Sequence, residues 1–178
     1  MADWNNRTEV KKGTFGETIV KNYLKNKGFT VYIPELGQHV FDMLAIKEKK
    51  EIFIVEVKAQ ARRNRYPDTG ITKKHYDEYN YVADKYNIPF FIFFVDEMLR
   101  EIYGNWLKEL KKPIIVNSIS YPLIQEGSTG VRIYFPLEVM TRNIIVLNDD
   151  DIVELKKLST RNYPYNPLDL PIGLGDIS

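Results

Sequence analysis

Apolar and polar positions alternate with two distinct periods in the first half of the chain. Residues 14–27 and 72–86 carry apolar side chains at helical spacing, and Thr14, Gly28 and Thr72 are placed as helix-boundary residues. Short apolar runs predict strands at 29–33, 41–46, 51–59 and 89–95. The charged turn between the second and third strands indicates an antiparallel hairpin. We therefore predict an α/β fold (a mixed α+β sheet) with helices flanking a central sheet.

The second half of the chain has a weaker pattern. It predicts a short helix at 105–112, strands at 114–116 and 131–135, and a helix at 149–158 whose charges follow the helix dipole. Prolines recur in the tail from about residue 163. We therefore expect a core over residues 1–112 and a C-terminal extension over residues 113–178 that packs on it.

Composition narrows the class of protein. The 178 residues are 44% hydrophobic and 28% charged, which predicts one ordinary folded domain. The longest apolar stretch, at 88–95, is far shorter than the roughly 20 residues of a membrane span, and the first residues lack the pattern of a secretory signal. Cysteine is absent, which excludes disulfides and thiolate metal sites. We expect a cytoplasmic protein without a membrane partner (in the host cell, if the source is a phage).

Charge is balanced overall but uneven along the chain. Lysine and arginine total 25 against 24 acidic residues, yet the segment from Lys58 to His75 holds six cations and one anion. Such a segment favours a phosphate backbone as partner, although a solvated loop is the alternative. The candidate nucleic-acid contacts in this segment are Arg62, Arg63, Arg65, Lys73, Lys74 and His75.

Three charged residues at the ends of the predicted hairpin strands are the main candidates for chemistry. Glu56 and Lys58 lie two residues apart on a strongly apolar strand, so they point to the same face. The hairpin allows Asp42 to lie beside Glu56. Two neighbouring carboxylates repel each other and are costly to bury, and a divalent metal such as Mg²⁺ relieves both effects. An ordinary salt bridge of Lys58 with Asp42 or Glu56 at a strand end is the alternative interpretation.

This arrangement suits hydrolysis of a phosphodiester bond. A metal held by Asp42 and Glu56 would polarise the phosphate and lower the pKa of an attacking water. Lys58, a compact point charge, would orient that water or neutralise the developing negative charge.

The motif resembles that of the PD-(D/E)xK nuclease superfamily. Its elements are Phe41-Asp42, with phenylalanine where the family name has proline, and Glu56-Val57-Lys58 fourteen positions after Asp42. The preceding Gly13-Thr14-Phe15-Gly16-Glu17 is similar to the opening helix of archaeal-type Holliday-junction resolvases, and Lys58-Ala59-Gln60 places a glutamine as many members do. The resemblance covers about residues 10–97 and implies a restriction-endonuclease-like core.

The resemblance also implies roles for individual residues. Asp42, Glu56 and the backbone carbonyl of Val57 would be ligands of Mg²⁺, for which Mn²⁺ can substitute. Lys58 would be the catalytic lysine, and Glu17 would reach the metal directly or through water. Glu17 also completes a capping box with Thr14, which is a structural alternative. Gln60 continues the face of Glu56 and Lys58 and is a further catalytic candidate, with a polar strand end as the alternative.

The functional hypothesis is a magnesium-dependent deoxyribonuclease, expected to act as an endonuclease. One alternative is a resolvase that acts on branched DNA as a homodimer, because two strands must then be cut. Another is a DNA-binding protein that has the fold without the catalysis. The sequence is also compatible with an RNA substrate.

Overall fold

The structure, a computed structural model, describes residues 7–35, 39–48, 51–127 and 130–159. Within these ranges four helices are formed: α1 (Thr8–Asn26), α2 (Lys73–Tyr86), α3 (Leu107–Leu110) and α4 (Asp149–Lys157). Six strands form the main sheet: β1 (Thr30–Tyr32), β2 (Met43–Lys47), β3 (Glu51–Ala59), β5 (Phe90–Asp96), β6 (Glu101–Trp106) and β11 (Thr141–Val146). The remaining strands are β4 (Asp68–Thr72), β7 (Ile114–Val116), β8 (Ile119–Tyr121), β9 (Leu123–Gly127) and β10 (Gly130–Pro136).

The main sheet is mixed, as predicted. Its order is β1-β2-β3-β5-β6-β11, and β2 and β3 form the predicted antiparallel hairpin. β5 pairs with β3 in parallel, and all seven β5 residues are buried. A parallel pair requires a crossover connection, which α2 provides between β3 and β5. This is the mixed α/β sheet with flanking helices expected from the sequence.

Two apolar layers cover the sheet. On one face α1 and α4 pack on alternate residues of β3 and β5, represented by Val57 and Val95. On the other face α2 and β10 pack on the intervening residues, represented by Ile54 and Phe94. Because side chains alternate between the two faces of a strand, each layer contains every second residue of β3 and β5. The polar residues of β3 lie on the face of the second layer.

Helix α1 begins six residues earlier than the sequence pattern predicts. Its N-cap is Arg7, and Thr14 lies within the helix, where its hydroxyl donates to the Val10 carbonyl at 3.1 Å. The capping box of Thr14 and Glu17 is therefore wrong. The early start brings Lys12 to Glu97, a 2.6 Å ion pair whose buried geometry needs tertiary contacts that no local pattern reveals.

A second, three-stranded sheet replaces part of the predicted basic loop. Residues 68–70, predicted as a turn, are the buried start of β4, which pairs with β10 from Pro136↔Asp68 to Arg132↔Thr72. β9 completes this sheet, and β7 pairs with β8. Because β10 and β11 hydrogen-bond to β4 and β6, two sheets cross the predicted boundary at residue 112.

Two further expectations concern the C-terminal tail and membrane-spanning helices. The proline-rich tail from about residue 163 lies outside the described residues. In the part of the chain that the structure describes, none of the helices has the length and apolar character needed to cross a bilayer.

Candidate active site

The hairpin places Asp42 beside the C-terminal half of β3. Met43 pairs with Val55, and the backbone N–H of Asp42 donates to the Val55 carbonyl at 3.1 Å. The Asp42 carboxylate in turn accepts from the backbone N–H of Val57 at 2.7 Å. This contact fixes one carboxylate oxygen against the strand that carries Glu56, so the predicted neighbourhood of the two acidic residues is confirmed.

Glu56 is the most enclosed member of the cluster, with 5% of its surface exposed. Its Oε1 accepts from Lys58 Nζ at 2.5 Å and from the Tyr79 hydroxyl at 2.7 Å. Its Oε2 is buried and has no hydrogen-bond partner among the described residues. The ion pair with Lys58, which the sequence offered as an alternative, is thus present, but it uses only one of the two oxygens.

Helix α1 brings Glu17 to the same place. Gly16 faces the sheet so closely that a Cβ there would lie 3.1 Å from Val95 and 3.3 Å from Ala59. This close approach places the next residue, Glu17, near Asp42 and Lys58, whose charges both act on its pKa. Glu17 therefore joins the site from the opposite side of the strand pair.

Burial raises the pKa of all three carboxyl groups. It is the largest cause for each, and it raises the pKa of Glu56 to about 7. Repulsion by Asp42 adds to the effect for Glu17 and Glu56, whereas Lys58 opposes it. Buried, mutually repelling carboxylates with an orphaned oxygen are the donor set that a hard cation stabilises.

The residues present fit Mg²⁺. In the described ranges, groups of three or more His, Asp or Glu side chains that would hold a metal are absent. Mg²⁺ needs only one or two protein carboxylates and keeps several waters, so Asp42 and Glu56 meet its requirement. The roles predicted for these residues and for the Val57 carbonyl stay predictions.

Gln60 lies beyond the end of β3, and its side chain turns toward the second sheet. Its Nε2 donates to the Gly70 carbonyl and approaches Thr69 Oγ1 at 3.5 Å, and its Oε1 accepts from Arg132 at 3.3 Å. Gln60 thus links the motif strand to β4 and β10. Its catalytic role stays a prediction, and these contacts give it a structural role as well.

Arg63 differs from the other predicted nucleic-acid contacts. Its Nε donates to Asp68 Oδ1 at 2.5 Å, and its Nη2 donates to Asp68 Oδ2. Its Nη1 donates to Gln125 at 2.6 Å, and its guanidinium lies 3.9 Å from the centre of the Tyr134 ring. All three nitrogens of this guanidinium are engaged within the protein.

The other residues predicted to contact nucleic acid are less firmly held by the protein than Arg63. Arg65 is exposed, and the backbone N–H of Arg62 donates to buried Asp96 at 2.8 Å. Lys73 and Lys74 form ion pairs one turn along α2, with Asp77 at 2.6 Å and Glu78 at 3.8 Å. Such exposed pairs are weak, so both lysines can still face an anion.

His75 lies beside the carboxylate cluster. It stacks on Tyr79 with ring centres 5.9 Å apart, and burial, followed by the charge of Lys58, lowers its pKa. A neutral imidazole here adds no further positive charge beside Lys58 at neutral pH. Its contact with nucleic acid stays a prediction.

Two residues of the site were missed in the sequence. Tyr79 is 1% exposed and packs on Phe90, and its hydroxyl also donates to Glu56. Arg132 belongs to β10, and its Nη2 donates to the Gly70 carbonyl at 2.7 Å. No local pattern could reveal Arg132, because β4 and β10 are about sixty residues apart in sequence.

These features define the class of fold as restriction-endonuclease-like, which confirms at the level of fold the resemblance to PD-(D/E)xK nucleases. Among solved structures, the chain is similar to Hjc of Archaeoglobus fulgidus, a Holliday junction resolvase from an archaeal hyperthermophile. That match has 13% identity and a TM-score of 0.50, and it covers 71% of this chain and 90% of Hjc. D212, a nuclease from a fusselovirus, matches at 11% identity and a TM-score of 0.46, over 85% of this chain and 93% of D212. No family model and no curated protein matches the sequence.

Proposed function

We propose that the chain is a metal-dependent nuclease that hydrolyses DNA phosphodiester bonds, with Mg²⁺ held by Asp42 and Glu56. The observation that carries this proposal is the state of Glu56. One of its oxygens is held by Lys58 and Tyr79, while the other is buried without a hydrogen-bond partner among the described residues. An orphaned carboxylate oxygen beside a second carboxylate is costly in a purely structural ion pair.

Asp42, Glu56 and the carbonyl of Val57 would hold the ion. When bound, Mg²⁺ would polarise the phosphate and lower the pKa of a coordinated water. Asp42 is oriented for this task by the N–H of Val57, and Glu56 by Tyr79. Both carboxylates are thus fixed before a ligand arrives, which reduces the reorganisation required during the reaction.

Lys58 supplies the positive charge next to the phosphate. Its ammonium is held by Glu56 and lies 5.6 Å from the centre of the Tyr79 ring, while its side chain is 22% exposed. It is therefore both positioned and accessible. From this place Lys58 would neutralise charge that develops on the phosphate oxygens.

Glu17 would hold the attacking water. Because burial and Asp42 raise its pKa, Glu17 is a stronger proton acceptor than an exposed glutamate. It approaches from α1, across the site from Lys58, and its contribution is to orient the water and accept its proton.

A cleavage assay tests the proposal. Supercoiled, linear, single-stranded and four-way-junction DNA would be incubated with the protein in Mg²⁺, in Mn²⁺ and in a chelator. Cleavage should require the metal and fall at least 100-fold in Asp42→Asn and Lys58→Ala, a loss typical of removing a positioned catalytic group. Lys112→Ala, which removes an exposed charge just after the end of α3, serves as the matched control. DNA binding without cleavage would refute catalysis and favour a binding protein.

The four-way junction is included for a specific reason. One of the solved structures similar to this chain, matched over 90% of its own length, is that of a Holliday junction resolvase. Preferential junction cleavage, together with a dimer on a sizing column, would narrow the activity to that of a resolvase. Equal cleavage of linear duplex would leave the broader nuclease activity.

A further inference from the structure

We infer that Arg132, rather than Arg63, is the arginine that binds a DNA phosphate beside the active site. This inference rests on the proposed nuclease function and names the residue that holds the strand next to the bond being cut. It depends on the counter-charges of the two arginines, on the link of Arg132 to the motif strand through Gln60, and on a small cavity that both arginines line.

Arg132 is anchored only by neutral groups. Its Nη2 donates to the Gly70 carbonyl at 2.7 Å and to Gln60 Oε1 at 3.3 Å. Within the described residues Arg132 has no carboxylate within ion-pair distance, whereas Arg63, Arg100 and Arg142 each have one. A half-buried guanidinium without a nearby carboxylate is positioned to pair with an anion from outside.

Arg63 has the opposite character. Asp68, whose side chain is fully buried, accepts from two nitrogens of Arg63, and Gln125 accepts from the third. Binding of a phosphate would require Arg63 to leave a buried carboxylate unpaired, which is costly. Arg63 is therefore a structural residue. Its guanidinium packs on the ring of Tyr134, which Arg132 also faces.

Arg132 lies close to the motif strand. Its partner Gln60 follows Lys58 by two residues, and the Gln60 backbone N–H donates to the Lys58 carbonyl at 2.9 Å. Burial lowers the pKa of His75, and the charges of Lys58 and Arg132 add to the effect, so both groups lie near that ring. Arg132 is thus placed beside the proposed cleavage site, where it can hold a phosphate of the bound strand.

A small cavity beside Arg132 gives the phosphate a place. It has a volume of about 100 Å³ and is lined by Gln60, Arg62, Arg63, Gly70, Arg132 and Tyr134, among others. That volume exceeds the roughly 10–15 Å³ that one water needs. Its lining combines guanidinium groups with other polar groups, which is the chemistry of phosphate recognition rather than of apolar ligands, and of the arginines Arg63 is already engaged by Asp68.

The test measures DNA affinity directly. Binding of a fluorescent DNA duplex would be followed by anisotropy at several salt concentrations, without divalent cations, for native protein, Arg132→Ala, Arg132→Lys and the control Lys112→Ala. Arg132→Ala should weaken binding roughly tenfold and reduce the slope of log affinity against log salt by about 1. Arg132→Lys should keep the slope and recover part of the affinity, because lysine keeps the positive charge but lacks the paired N–H donors of the guanidinium.

The outcomes separate this inference from the proposed function. Native affinity and slope in Arg132→Ala would overturn the inference, whatever the cleavage assay shows. A loss of affinity accompanied by an equal loss in Lys112→Ala would also overturn it, because the effect would then be one of net charge. If the native protein cleaves no DNA in Mg²⁺ but Arg132→Ala still lowers affinity, the proposed function fails and the phosphate site stands.

Discussion

Replacing Arg63 by alanine should destabilise the fold. The change removes both nitrogens that hold Asp68, whose side chain is fully buried, and leaves the Tyr121 hydroxyl at 2.8 Å as its remaining side-chain donor. Removing one partner of a buried ion pair costs about 3–5 kcal/mol. Because the Arg63 side chain is 22% exposed, water can reach the vacated space, and the lower end of that range applies.

A second contribution comes from packing. The guanidinium of Arg63 lies 3.9 Å from the centre of the Tyr134 ring and 4.4 Å from that of Tyr66. Each contact of this kind is worth about 0.5–1 kcal/mol at a partly exposed site. Added to the lower end of the ion-pair range, the two contacts bring the expected loss to about 4 kcal/mol in the free energy of unfolding.

Urea denaturation followed by circular dichroism measures this loss. Arg65→Ala, an exposed arginine two residues away, is the matched control and should change stability by less than about 0.5 kcal/mol. Adding Asp68→Asn to Arg63→Ala should recover about 1 kcal/mol, because a neutral amide is cheaper to bury than an unpaired carboxylate. Equal stabilities of Arg63→Ala and Arg65→Ala would refute the structural role of Arg63.

Three further predictions follow from the site and the sheet. Without divalent cations, unfolded Glu56 ionises near pH 4.5 and folded Glu56 near pH 7, so the unfolded state binds fewer protons in between. The free energy of unfolding should therefore fall by up to about 3 kcal/mol from pH 4.5 to 7. Mg²⁺ should abolish most of this fall. A free energy of unfolding that does not change with pH in the presence of a chelator would contradict the prediction. Tyr79→Phe keeps the ring but loses the bond to Glu56, which should cost about 1 kcal/mol on urea unfolding, and no loss would exclude that bond as a contributor. Gly104→Ala would press a Cβ against the Ile92 carbonyl, so we expect a loss of about 2 kcal/mol in the same measurement; native stability would show that β5 and β6 can separate.

The sequence predicted those parts of the fold whose pattern is local. The hairpin of β2 and β3 is recognisable from two apolar runs and a charged turn, and α2 from its apolar spacing and the Thr72 cap, which accepts from the His75 N–H at 3.3 Å. The carboxylate pair followed from the same hairpin. These elements need no information from distant parts of the chain.

The missed elements depend on distant partners. Strand β4 begins at Asp68, within the segment Pro67-Asp68-Thr69-Gly70 that is typical of a turn, and it becomes a buried strand only because β10 pairs with it. Strand β6 carries Gly104 and opens on Glu101, a 1% exposed carboxylate that Arg142 neutralises from β11. Neither the pairing of β4 with β10 nor that of β6 with β11 changes the local spacing of apolar residues. Arg132 was missed for the same reason.

The return of the chain to the main sheet has a consequence for how such a protein can diversify. β6 ends at Trp106, and β11 re-enters beside it, with Thr141 paired to Gly104. The thirty-four residues between them leave the sheet and come back to nearly the same point, and they include the strand that carries Arg132. A segment whose ends meet can be lengthened, shortened or exchanged without changing the order of the six strands. Its variation would alter the surface beside the carboxylates, while Asp42 stays just before β2 and Glu56 stays on β3.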